Sequence, residues 1–254
     1  MYIVTLYSAS VIFCLFPLKP LILDIVCPLN DSRPKTFALQ TDYSIYGINA
    51  NDNHFMITMH GLFTVTILIH FIVTIDTFML IIVLHCCGLF ESIRADFFPE
   101  RQYKIVCDGI IIHHRAITLA ESIETSFTIM YGFLVLITMI LISVVGLQTI
   151  MNFNDPTEVI RCAAFGATLS LHLFFISMPG QELYDHSNRA SEIIYSCNWS
   201  GMSLKAKRLI SIMLMRSMKP MRMTAAKFYP QNMESFGKVL KTSFSFFTVM
   251  LSSQ

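Results

Sequence analysis

Three kinds of residue in this chain could do chemistry: its histidines, its cysteines, and a line of hydroxyls and charges near its end. His113-His114 has the form of one histidine box of a diiron site. Such a site needs several boxes, and the remaining histidines do not supply them, so neither an enzyme nor a metal or other cofactor is expected. His60 and His70 stand ten residues apart in one apolar run, on separate flanks of a helix rather than around one ion. The seven cysteines, Cys14, Cys27, Cys86, Cys87, Cys107, Cys162 and Cys197, form no CxxC pair, which argues against a zinc or redox centre. Most of them sit in apolar runs, as small buried hydrophobes do.

The end of the chain, ESFGKVLKTSFSFFTVMLSSQ, is different in kind. On a helical wheel Glu234, Lys238, Lys241, Thr242, Ser245, Thr248, Val249 and Ser252 fall within one sector of about 120°. Phe236, Val239, Leu240, Phe244, Phe246, Phe247, Met250 and Leu251 fill the rest, and Ser243 is the exception on that side. A polar stripe on an apolar helix can line a water-filled pore between subunits, bond to neighbouring helices of its own bundle, or lie flat on a membrane surface. All three remain open on the wheel alone. In the pore reading Val249 is the apolar residue of the wet face, where a ring of such residues can close a conduit by dewetting.

The rest of the chain supplies the membrane. Hydrophobic residues make up 54% and charged residues 14%, with mean hydropathy +0.59. A soluble domain carries about 25% charged residues, so this is an all-α, polytopic helical membrane protein, with about five membrane helices. The net charge of +1 gives no reason to expect nucleic acid. Residues 1–18 carry no charge and 21–26 extend them; this start lacks the basic lead and small-residue cleavage site of a secretory signal and reads as the first span. Residues 27–53 read as a loop, with Pro28, Pro34 and Gly47. The apolar run 53–90, broken by Asp76, would form a helix about 57 Å long, nearly twice the hydrocarbon thickness of about 30 Å. Its excess, 76–90, must leave the membrane under cover of other protein. Residues 103–124 keep helical spacing at Ile105, Ile112, Ile117 and Leu119 and predict a further helix outside the bilayer. Residues 125–154 form the third span and 162–181 the fourth. In the fourth, Ala163, Gly166, Ala167 and Ser170 allow close helix approach. Residues 209–215 are apolar but too short to cross, and 232–251 make the last segment.

Lys and Arg set the orientation. Twelve lie between 90 and 227 on two alternate stretches: Arg94, Arg101, Lys104 and Arg115, then Arg189, Lys205, Lys207, Arg208, Arg216, Lys219, Arg222 and Lys227. The other side holds only Lys19, Arg33, Lys35 and Arg161. Both basic stretches are therefore placed in the cytoplasm, and the last segment crosses outward. The sequon Asn30-Asp31-Ser32 is then outside and Asn30 a glycosylation candidate, whereas Asn198-Trp199-Ser200 falls inside and stays bare.

From residue 180 onward the chain resembles the insect odorant receptor family. The residues that carry the likeness are Gly180-Gln181-Glu182-Leu183, Ser187, Ile194-Tyr195 before Trp199, Arg208-Leu209-Ile210, Arg216-Ser217, Lys219-Pro220, Ala225-Ala226, Phe228, Ser235-Phe236 and 239–249. The middle of the chain matches by span pattern only. The resemblance implies an inverted seven-helix receptor-channel fold, cytoplasmic amino terminus and external carboxy terminus, whose helices extend into a cytoplasmic anchor joining four subunits. Residues 180–254 would supply part of that anchor and the pore helix, and Val249 matches the gate position of the related coreceptor. The first span resembles the family's third helix, so residues 1–254 are expected to be a partial transmembrane domain, with a tail and two helices, and part of the odorant pocket's wall, outside this sequence.

The function so implied is that of an odorant receptor subunit in olfactory sensory transduction. It would bind volatile organic ligands and gate a non-selective cation channel in a heterotetramer with the coreceptor, in the cell membrane of olfactory neuron dendrites. In the family odorants enter the outer bundle, where Phe13, Phe16, Met59, His60, Phe63 and Phe165 lie at suitable depth; ordinary packing or lipid contact is the plainer reading of each. Thr242, Ser245, Thr248, Val249 and Ser252 would face the pore, with Lys238 and Lys241 at its cytoplasmic mouth and Glu234 able to offset one of them. The alternatives are a non-conducting fragment that only packs with related subunits, and a G-protein-coupled receptor, whose carboxy terminus would be cytoplasmic.

Overall fold

The computed structural model describes residues 53–93, 102–197 and 201–252, together with Val4, Tyr7, Ser8, Val11, Leu15, Val26, Tyr43 and Gly47. Most of the expected first span and of the loop after it, with Phe13, Phe16, Asn30 and the Asn198 sequon, lies outside the described residues. Among the described residues five helices follow in order. They are α1 (His54–Glu91), α2 (Gln102–Met151), α3 (Pro156–Tyr195), α4 (Leu204–Ser217) and α5 (Met233–Ser252). Between α4 and α5 a two-stranded antiparallel hairpin pairs β1 (Thr224–Ala225) with β2 (Tyr229–Pro230), Thr224 opposite Pro230 and Ala225 opposite Tyr229. The expected all-α class holds, with this small hairpin added. Among the described residues α1, α2 and α3 are long and apolar enough to cross a membrane.

The chain divides into two compact units, residues 1–77 and 78–254. In the first, α1 is apolar all round, with Phe55, Phe63 and Phe71 exposed, as a helix in lipid should be. Three of its threonines are satisfied at home: the hydroxyls of Thr64, Thr66 and Thr74 each donate to the carbonyl four residues back. His60 Nδ1 and the Tyr43 hydroxyl are hydrogen-bonded at 2.8 Å, and His70 meets the Tyr7 ring edge-on at 5.2 Å. His60 and His70 thus each have their own aromatic neighbour.

In the second unit the core is built where the apolar run outlasts a membrane's thickness. Met79, Val83, Cys86 and Phe90 of α1 are buried with Ala116, Ala120 and Ile123 of α2, Leu183, Ala190 and Ile194 of α3, and Ala206 and Ile210 of α4. The Cys86 thiol donates to the Ala116 carbonyl at 3.3 Å. His113 is part of this core, its ring edge-on to Phe90 at 6.2 Å, and among the described residues no three metal-ligating side chains gather. Ser203 caps α4, its hydroxyl accepting from the Ala206 amide at 3.3 Å.

Two elements run longer than their charge pattern predicts. Residues 103–124 and 125–154, expected as separate helices, fall on the single 50-residue α2 up to its end at Met151. Charge at Glu121 and Glu124 does not interrupt the buried spacing Ile117, Ala120, Ile123, and no Pro or Gly falls between them. Likewise the fourth span continues past 181 to Tyr195 through Pro179. That proline takes a donor from the Phe175 carbonyl, but Ile176 and Leu183 are buried on either side and hold the helix together. In both helices the charges mark a change of surroundings, not an end.

Candidate functional site

The terminal helix begins where Pro230 ends the hairpin. Asn232 caps it, its side-chain oxygen accepting from the Ser235 amide at 2.8 Å. Gln181 of α3 accepts from the Met233 amide at 3.3 Å, and Glu234 in the first turn suits the positive end of the helix dipole. Ser235 and Val239 are buried and Phe236 half-buried, its ring edge-on to Phe174 of α3 at 5.6 Å. This face fixes α5 against α2 and α3.

The opposite face is the polar stripe. Glu234, Lys238, Lys241, Thr242, Ser245 and Thr248 are exposed on the single chain, and Val249 is 65% exposed among them. The hydroxyls of Thr242, Ser245 and Thr248 donate to the carbonyls of Lys238, Lys241 and Ser245 at 2.8, 2.9 and 2.9 Å. Their donors therefore serve their own helix and not a neighbouring one, so the second of the three readings of the stripe lacks its hydrogen bonds at these positions. Lys238 Nζ pairs with Glu234 Oε1 at 2.6 Å, the offset expected for one of the two lysines. Ser252's side chain lies outside the described residues.

The hairpin clamps the foot of α5 to two long helices. On the α2 side, both oxygens of Glu124 accept from Thr224, one from its amide at 2.7 Å and one from its hydroxyl. Thr128 accepts twice at the turn: its carbonyl from the Ala226 amide at 2.7 Å, its hydroxyl from the Lys227 amide at 3.2 Å. Ala226 and Lys227 have φ of 52° and 65°, a left-handed backbone that residues with a Cβ keep only when their surroundings hold it. Gly132 makes room, since a Cβ there would come within 2.6 Å of the Ala226 Cβ. On the α3 side, Ser187 accepts from the Met221 amide at 2.9 Å and Arg222 covers the Tyr184 ring at 5.3 Å. Burial pushes the Tyr229 phenol up to about 12, so it stays neutral.

Gln181, Ser187, Ala225-Ala226 and Ser235-Phe236, singled out in the sequence, thus meet at one joint. Glu124, Thr128 and Gly132, the other half of it, were missed; a glutamate and a glycine in a mostly apolar helix were the available signals. Of the ligand candidates, Met59 and Phe63 share one face of α1 and stand 40% and 68% exposed, with His60 beside them bonded to Tyr43. Phe165, on α3 in the other unit, is 40% exposed.

Residues 1–244 match the 7tm Odorant receptor family. Odorant receptor 13a of Drosophila melanogaster is 23% identical over 268 residues, which cover 95% of this chain and 63% of that receptor. The chain therefore spans less than two thirds of that relative's length. The odorant receptor coreceptor of Aedes aegypti is 29% identical over 79 residues, 31% of this chain and 16% of that protein. In fold, the chain resembles the solved olfactory receptor OR5 of Machilis hrabei in complex with eugenol, with TM-score 0.69 at 15% identity, covering 100% of this chain and 66% of that one.

Proposed function

The chain belongs to the insect odorant receptor family, and on that premise we propose that it is a subunit of an odorant-gated, non-selective cation channel assembled with the coreceptor. It is a multi-pass membrane protein; in this reading it works in the dendritic membrane of olfactory neurons. The observation that carries the proposal is the exposed hydrophilic stripe of α5, whose Thr242, Ser245 and Thr248 hydroxyls donate within their own helix. A stripe of this kind is stable in a membrane only against water or a partner's polar groups. Four copies arranged about an axis would turn it inward, with Val249 as the dewetting ring.

A volatile bound beside Phe165 on α3 would act on α5 through α3 and the hairpin. The joint suits that role: any shift of Glu124, Thr128 or Ser187 moves the segment that ends at Asn232, the cap of α5. Residues 180–254 are then anchor and pore in one stretch. Co-expression with the coreceptor and recording of odour-evoked current tests the proposal. A current whose ion selectivity changes when Val249 or Thr248 is substituted supports it; surface delivery with no current across a broad odorant panel contradicts it.

A further inference from the structure

A cavity of about 370 Å³ opens in the second unit between the last turns of α2, the first half of α3 and the middle of α5. That volume falls within the range of about 300–1,000 Å³ typical of small-molecule sites. It exists because small residues line it: Gly146 on α2 and Ala163, Gly166 and Ala167 on α3. From α5 come Leu240, Phe244 and Ser243, the one hydroxyl of that helix's inner turns that the wheel leaves off the stripe. The structure gives Ser243 a place, half-buried on the wall of this space.

The lining chemistry names the occupant. No charged side chain contributes, so a charged ligand would be desolvated without a partner. Ser143, Thr149 and Ser170 are the polar groups of the α2 and α3 walls. Their hydroxyls donate to the carbonyls of Met139, Val145 and Gly166 at 3.0, 2.8 and 2.8 Å. With their protons committed, they offer the cavity only acceptor lone pairs. A fitting ligand has an apolar body and a single O–H donor. We propose that this cavity is a second binding site, for small uncharged alcohols and phenols, built against the back of the terminal helix. Among the described ligand candidates, none of Met59, His60, Phe63 and Phe165 lines it. An occupant would touch Leu240 and Phe244 directly, so it could bias α5 without passing through the hairpin. That consequence rests on the pore reading; the binding does not.

The test is photolabelling of the full chain in phosphatidylcholine nanodiscs with azioctanol, an aliphatic alcohol carrying a diazirine, and mapping of the adducts by mass spectrometry. Adducts are expected in residues 142–150, 162–170 and 240–244, displaced by excess octanol. They should fall about tenfold in Ala167→Phe, which fills the space. Ala163→Leu serves as a second filler, and thermal melts confirm that each variant is folded. Adducts confined to other segments, adducts that octanol does not displace, or equal labelling of folded, filled variants would overturn the site. Displacement by oleic acid but not by octanol would also overturn it and assign the space to an acyl chain. Labelling without odour-evoked current would sink the channel reading alone; current without labelling would sink this site alone.

Discussion

The α-carbon of Gly180 faces the backbone carbonyl of Gln231 so closely that a Cβ at residue 180 would lie 2.1 Å from the Gln231 oxygen. Here α3, one residue after Pro179, meets the hairpin's exit into α5. A carbonyl in a paired backbone cannot swing aside as a side-chain tip can. Gly180→Ala should therefore destabilise the solubilised protein by about 2 kcal/mol or more. Gly88→Ala is the control: nothing lies within 4 Å of its would-be Cβ. It sits in a helix and should stabilise by up to about 1 kcal/mol. Thermal melts of the two variants against the parent check both signs.

The Glu124–Thr224 pair should couple strongly. Glu124→Ala strands the Thr224 amide, leaves its hydroxyl only the Thr128 hydroxyl at 3.4 Å, and should cost about 2 kcal/mol, since the lost bonds are to a charged acceptor. Thr224→Val removes only the hydroxyl and should cost about 1 kcal/mol. Because the two share a bond, the double variant should be less damaged than the separate losses combined. Additive losses in a double-mutant cycle would mean that the clamp does not hold as a unit.

Lys238 should matter to ions and hardly to stability. Its pair with Glu234 is more than two-thirds exposed on both sides, and solvent screening leaves such pairs little weight in stability. Lys238→Met is expected to leave the melting temperature nearly unchanged. In the channel, removing a positive charge from the pore mouth should raise cation conductance, most at low ionic strength where screening is weak. Unchanged single-channel conductance at low salt would remove Lys238 from the ion path.

The proposed orientation can be read from sugar. Asn30→Gln should abolish a glycosidase-sensitive shift in apparent mass on cell expression, whereas Asn198→Gln should change nothing. Loss of the shift with Asn198→Gln instead would invert the topology.

How far the sequence led depends on which signal each element carries. The long apolar run ending at Phe90 announced that its tail needed cover, and Met79, Val83 and Phe90 are buried. The wheel separated the faces of α5 well: Val239 is buried and Lys238 beside it exposed. Charge misled at Glu124 and Glu182, where the expected helices stop. Burial of Ile123 and Leu183 on the same helices outweighs both interruptions, and such tertiary support leaves no local trace in sequence. The hairpin was hidden for a related reason. Its strands are two residues long, and its turn uses Ala226 and Lys227 at positive φ where sequence rules look for Gly or Asn. The cavity beside Ser243 was unreadable because it depends on three helices at once. Small residues such as Ala163 and Gly166 promise close packing as readily as empty space.

Thiol accessibility along α5 probes the pore reading most directly. Cysteines placed singly at Thr242, Ser245 and Thr248, and on the back at Val239 and Leu240, would be exposed to a charged thiol reagent from outside during odour-evoked opening. Rapid modification with altered current at the first three positions, and none at the last two, is the expected pattern. Equal reactivity on both faces, or silence at all five in a channel that conducts, would show that the stripe does not line the path of the ions.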